Sequence, residues 1–318
     1  MRIVSLLPSA TEVLFAIGAG DDVVGVTHEC DFPAAALGLP KLTRASGPEL
    51  TSCAEIDRHV RTAMHQGSSL YELDAARLDE LAPDLIVTQE LCPVCAVSYE
   101  IVATAAKRLR SCHPERSRRA RVVSLEPNSL ADVLETIRFL GGITGYVENA
   151  ARVVTGLQAR IDALRAASPS PLVLRLRSGL RARGDTGCAG AQGDTLILEW
   201  TDPPMSAGHW IPELIELAGG TPVLANPRAN SRRLEWPAIA QADPDAIVVA
   251  PCGFDLARTR HAIAELAERD EWKKLRAVRE GRVLALDGNA YLSRPGPRLV
   301  DAAEIISRWY TSLAEHAG

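Results

Sequence analysis

Two thiols separated by two residues, Cys92-Pro-Val-Cys95, are the sharpest chemical signal in this chain. They stand where a helix is expected to begin, and a helix N-terminus favours the thiolate. Cys30 and Cys252 also follow expected strands directly, as do His28 and His209. Together Cys30, Cys92, Cys95, Cys252, His28 and His209 could supply a four-ligand site for zinc, iron or an iron–sulfur cluster, because thiolate and imidazole are the ligands those metals take. The plainer reading is that small thiols cap a packed sheet edge as ordinary buried hydrophobes. A further use, thiol–disulfide redox chemistry by the CxxC pair, requires that one thiol ionise near neutrality. Cys53, Cys112 and Cys188 have no such context.

The second signal is aromatic. Phe, Trp and Tyr make up only 4% of the sequence, yet Phe32, Trp200, Trp210, Phe254 and Tyr291 gather in the loops that follow expected strands, with Tyr71 and Tyr99 close by. Flat rings at the mouth of a cleft cover much area at little entropy cost and suit a large, partly apolar ligand. Pro8 and Ser9 after the first strand and Arg294 after the last complete the ligand-contacting candidates. Trp236 and Trp272 fall on helices and are expected in the core.

Other chemistries find little support. The chain has no G-x-S-x-G elbow, no Walker A loop and no G-x-G-x-x-G after a strand, and His28-Glu29-Cys30 is not an HExxH motif. Glu12, Glu29, Asp31, Glu90 and Asp202 could act as acids or bases, but carboxylates near helix starts serve more often as caps. No catalytic residue is assigned, and binding is favoured over catalysis.

These residues need elements to position them. Arg2–Leu6, Val23–Val26, Leu85–Thr88, Arg121–Leu125, Thr195–Glu199, Ala246–Ala250 and Arg282–Leu286 are short β-branched runs that read as buried strands. Amphipathic stretches alternate with them, which predicts mainly parallel sheets covered on both faces. In such sheets ligands bind beyond the carboxyl ends of the strands. Ser9-x-x-Glu12 reads as a capping box, and Ser129 opens another helix with Asp132 as its weaker partner. Apolar residues at helical spacing from Val147 to Leu164, with no proline before Pro169, predict one helix about 30 Å long. Its central place suggests a spine: an N-terminal α/β lobe over 1–145, the helix over 146–168 and a C-terminal α/β lobe over 169–318, with the ligand cleft between the lobes. A long crossover within one large sheet is the alternative.

Composition sets the outer bounds. At 318 residues the chain is long enough for two α/β lobes, each burying its own core. It is 47% hydrophobic, and its 35 basic and 40 acidic side chains leave no excess of positive charge for a nucleic acid. No run approaches the roughly 18 apolar residues of a membrane span. Ser5, Pro8, Ser9, Thr11 and Glu12 interrupt the apolar N-terminus, and no Ala-x-Ala-like site follows, so no signal peptide is expected. Seven scattered cysteines do not suggest a disulfide framework. Both observations predict a cytoplasmic protein, or a periplasmic one if the true start lies upstream. Arginine-rich segments at 107–121 and 169–194 read as solvated, mobile surface insertions, because no aromatics interleave with their charge.

The opening RIVSLLPSATEVLFAIG, the stretch LDAARLDELAPDLIVTQ (Leu73–Gln89), SLADVLETIRFLGGITG before the spine, HWIPELIELAGG and the closing RPGPRLVDAA span nearly the whole chain. In this order they resemble the cobalamin and iron-siderophore substrate-binding proteins of ABC importers. THECDFP, TQELCPVCA, LEWTDPP and APCGFD look like a branch of that family that is usually described as cobalamin-binding and lacks export signals. The resemblance implies two Rossmann-like lobes joined by one rigid helix, with a corrinoid-type ligand in the groove. Its secreted members have no matching cysteines, and the two arginine-rich segments look like insertions.

Overall fold

A computed structural model describes all of the chain except residues 49, 67–68, 91–98, 113–119, 168–193 and 317–318. Much of both arginine-rich segments, and the Cys92–Cys95 pair, therefore lie outside the described residues. The chain divides into two compact units. The first comprises Met1–Leu50, Arg58–Pro127 and Ala131–Gly156, and the second Thr51–Asp57, Asn128–Leu130 and Leu157–Gly318.

In the first unit, β1 (Ile3–Ser5), β2 (Val23–Val26), β5 (Leu85–Thr88) and β6 (Arg121–Ser124) form a parallel sheet in the order β2-β1-β5-β6. The central strands are buried on both faces, which explains their unbroken apolar runs: all four residues of Leu85–Thr88 are buried. Val4, Leu6, Leu42, Leu78, Ile86 and Val102 pack into the core beneath one face, and full burial of each large aliphatic side chain contributes about 1.5–3 kcal/mol. A short antiparallel ribbon of β3 (Thr43–Ala45) and β4 (Tyr71–Leu73) lies beside the sheet in sequence.

The second unit repeats the plan. Its main sheet runs β10 (Thr221–Pro222), β7 (Asp194–Thr201), β12 (Ala246–Val249), β13 (Val283–Ala285), all parallel, and β8 (Pro204–Ser206) folds back antiparallel on β7. A separate parallel pair joins β9 (Gly208–His209) to β11 (Asn226–Pro227). Leu196, Leu198, Ile247, Val249, Trp272 and Leu275 form the core. Trp272 is 2% exposed and meets Trp236 edge-on at 6.5 Å, as expected of helix-borne indoles.

All seven expected strands form, so the α/β fold with mainly parallel sheets in two lobes stands. Val147–Ala167 is one helix, and the boundary between the units falls inside it, after Gly156. Gly141 allows the close approach at its start: a side chain there would put its Cβ 2.3 Å from that of Ala150.

One local expectation is corrected. The first helix begins at Pro8, with Leu7 in the cap position and no side-chain cap. Proline is pre-organised for the first helical position, which shifts Ser9 into the helix, so Ser9 and Glu12 are buried residues of the first turns and no capping box forms.

Candidate ligand-binding site

At the carboxyl edge of the first sheet, hydroxyls, a thiol and an imidazole form two hydrogen-bonded groups. Thr11, in the first helix, donates to Ser5 Oγ at 2.8 Å, and its hydroxyl lies 3.1 Å from Cys30 Sγ. Cys30 is only 1% exposed, and its carbonyl accepts from Lys41 Nζ at 2.9 Å. In the second group, His28 Nδ1 lies 2.7 Å from Thr43 Oγ1, which also accepts the His28 backbone N–H at 3.1 Å and lies 2.8 Å from Thr27 Oγ1. Tyr71 packs its ring against His28 at 5.7 Å and donates its hydroxyl to Glu29 Oε1 at 3.4 Å. Burial, aided by the positive charge of Lys41, holds the His28 imidazole below its ordinary pKa, so it is neutral at neutral pH. Four residues on, Phe32 is 44% exposed, an uncommon position for a ring of that size. Pro8 is partly exposed and Ser9 buried at the same edge.

In the second unit the equivalent edge is more aromatic. Trp200 meets Phe254 edge-on at 5.4 Å and donates its indole N–H to the carbonyl of Cys53 at 3.1 Å. The Arg258 guanidinium stacks 3.8 Å above the Phe254 ring. Phe254 is 2% exposed. Trp210 is 6% exposed and spends its indole N–H on the Leu292 carbonyl at 3.0 Å. Trp200 and Tyr291 remain partly exposed. Arg294 is buried and donates to Asn289 Oδ1 at 2.9 Å.

The expected metal-ligand set does not assemble among the described residues. No group of at least three His, Cys, Asp or Glu side chains could hold an ion there. The reason is local. Cys30 Sγ is engaged by Thr11, His28 Nδ1 by Thr43 and His209 Nε2 by Asn230 Oδ1 at 2.9 Å, while Cys252 is exposed. Cys92 and Cys95 lie outside the described residues. Cys30 and Cys53 are buried and Cys252 is exposed, and burial pushes the Cys53 thiol up against the lowering effect of its hydrogen bonds with Thr201.

Sequence reasoning passed over Glu199. Burial raises its carboxyl to about 7, although the Ser231 hydroxyl and the Gly208 backbone N–H both donate to it. The available signal was its position: Leu196, Ile197 and Leu198 precede it and Trp200 follows, so this acid lies within a strand whose preceding residues are buried. Thr43 and Ser231 were passed over too; only the folded chain brings them to His28 and Glu199.

Two units, each built on a mainly parallel sheet with aromatic, hydroxyl or imidazole side chains at its carboxyl edge, define a two-lobed α/β fold. Residues 198–290 match the family described as periplasmic binding protein. Over 325 aligned residues the chain is 23% identical to the vitamin B12-binding protein of Vibrio cholerae, covering 99% of this chain and 90% of that one. The crystal structure of a periplasmic vitamin B12 binding protein of Vibrio cholerae superposes with a TM-score of 0.62 at 21% identity, covering 98% of this chain and 97% of that one. A periplasmic heme-binding protein from Roseiflexus sp. RS-1 in apo form superposes with a TM-score of 0.64 at 21% identity, covering 98% of each chain. These matches bear out the resemblance to the cobalamin and iron-siderophore substrate-binding proteins of ABC importers. They also overturn the expectation of a cytoplasmic address, since the relatives are described as periplasmic. Scattered cysteines and an interrupted apolar N-terminus are compatible with more than one compartment and do not decide it.

Proposed function

We propose that this protein binds a bulky, partly apolar macrocycle of the corrinoid type through the loops at the carboxyl ends of its strands, and that it delivers this cargo to an ABC importer from outside the cytoplasmic membrane. The observation that carries the reading is the aromatic surface left at those edges. Phe32 is 44% exposed, and Trp200 and Tyr291 are partly exposed, in a chain with few aromatic residues. A flat, weakly polar ligand can cover such rings and remove their apolar area from water. The end-to-end similarity to a vitamin B12-binding protein favours a corrinoid; the superposition on a heme-binding protein makes haem the second ligand to try. Both are planar macrocycles, so the same rings serve either.

Trp200 gives the test its reporter. Cyanocobalamin and haemin absorb in the range where indole emits, so a bound macrocycle should quench its emission, and Phe32→Ala should weaken the effect by several-fold. Emission that never saturates with either ligand, after correction for inner-filter loss, would refute the reading.

A further inference from the structure

We infer that Glu199 is a positioning residue: it ties the end of β7 to the β9–β11 loop pair and thereby holds the His209–Trp210 segment in the shape that receives the ligand. The inference rests on the proposed binding function for its last step, and on geometry for the rest.

Glu199 fastens several segments at once. Its Oε1 accepts the Gly208 N–H at 2.7 Å, its Oε2 accepts the Ser231 hydroxyl, and its backbone carbonyl accepts the Cys252 N–H at 3.0 Å. The segments it fastens are tightly fitted. A Cβ at Gly208 would lie 2.5 Å from Ser231 N and 2.7 Å from Ala229 O, so the β9 backbone rests directly on the 229–231 loop.

The next residue carries strain. His209 sits in the left-handed region at φ 49°, a conformation that costs a non-glycine residue about 1–3 kcal/mol and persists only where surrounding bonds impose it. The bonds here are His209 N–H to Ala229 O at 2.8 Å, Arg228 N–H to His209 O at 3.0 Å, and the contact of His209 Nε2 with Asn230 Oδ1. They all run to the loop that Ser231 anchors to Glu199. Trp210 follows immediately.

Among the described residues no cation pairs with the carboxyl group. The titratable side chains on the flanking segments are Asp202, His209, Arg228, Arg232, Arg233 and Cys252, and Arg228 is spent on Glu213 at 3.4 Å. Arg233 is paired with Asp57 at 3.0 Å and His209 with Asn230, and no salt bridge reaches Glu199 among the described residues. An ionised carboxylate in a largely desolvated place with no counter-charge among the described residues costs more than the neutral acid there. The near-neutral titration of this group supports the assignment, because the fastening would then loosen across a physiological interval.

A merely structural glutamate would not make binding pH-dependent, and this one should. Cyanocobalamin and haemin binding to the full chain would be measured between about pH 5.5 and about pH 8.5. The wild type should lose roughly tenfold in affinity as pH rises, the effect of about one unit of coupled pKa change. Glu199→Gln keeps an acceptor for Gly208 and a polar partner for Ser231 without the charge, and should bind with a flat profile at the low-pH affinity. An equal pH slope in both proteins overturns the inference. Hydrogen exchange at the Gly208 and His209 amides reads the fastening without any ligand or variant. Protection, corrected for intrinsic rate, should fall with rising pH in the wild type; constant protection overturns the inference. If neither macrocycle binds, the proposed function fails and the exchange data alone decide the role of Glu199.

Discussion

His28 Nδ1 lies 2.7 Å from Thr43 Oγ1, so the loop after β2 is tied to the start of β3 by an imidazole that burial keeps neutral. Thr43 is 7% exposed and serves the His28 ring, the His28 backbone N–H and the Thr27 hydroxyl at once. Thr43→Val, nearly the same shape without the hydroxyl, leaves those buried groups short of a partner and should cost about 1–3 kcal/mol in urea denaturation. A loss near zero would mean that water replaces the hydroxyl. The imidazole itself has a testable pH signature. With its pKa lowered by folding, the unfolded chain takes up the proton first, so stability should be full above the ordinary imidazole range and decline as pH falls through it. NMR titration of the ring should give a pKa below that of free histidine.

Glu199 should impose the opposite slope. Its folded pKa of about 7 stands above the ordinary 4.5, so between these values the native state holds a proton that the unfolded chain has released. Stability from this group is complete below the ordinary carboxyl range and declines as pH rises to about 7, by on the order of 3 kcal/mol in all. Thermal melts of wild type and Glu199→Gln across that interval should converge at high pH less than they do at low pH if the variant removes this slope. Parallel curves would contradict it.

Thiol accessibility separates the cysteines sharply. Cys252 is exposed, while Cys30 and Cys53 are 1% and 0% exposed, and burial raises the Cys53 thiol above its ordinary pKa. Brief alkylation of native protein followed by peptide mapping should label Cys252 and spare Cys30 and Cys53 until denaturant is added. Early labelling of Cys30 would show that its contact with Thr11 opens readily.

Core packing should outweigh surface charge. Phe254 is 2% exposed between Trp200, Cys53 and Ala262, and Phe254→Ala should cost about 3–5 kcal/mol. Arg160 pairs with Asp301 and Glu304 from a partly exposed position, where such pairs contribute about 0–1 kcal/mol, so Arg160→Ala should cost little and its effect should shrink with added salt. Equal losses in chemical denaturation would contradict this ranking.

The main strands were legible because their chemistry is local. Ala246–Val249 and Leu85–Thr88 are continuous apolar runs, and a strand covered on both faces needs nothing else. The β9–β11 pair was not legible: two residues on each side have no periodicity, and their pairing depends on contacts with the 226–232 loop. At the site, position after a strand identified which loops matter but not where each ring points. Phe32 stands exposed, whereas Trp210 and Phe254 turn inward, one held by a backbone carbonyl and the other by a guanidinium. Sequence position also cannot say what satisfies a thiol, since one at a strand end is as readily met by a neighbouring hydroxyl, as Cys30 is by Thr11, as by a metal.

Calorimetric titration of the full chain with cyanocobalamin, and separately with haemin, tests the central claim most directly. The account predicts saturable binding of at least one macrocycle with a Kd below about 100 μM, equivalent to roughly 5–6 kcal/mol. Saturation by neither ligand at that concentration would contradict it.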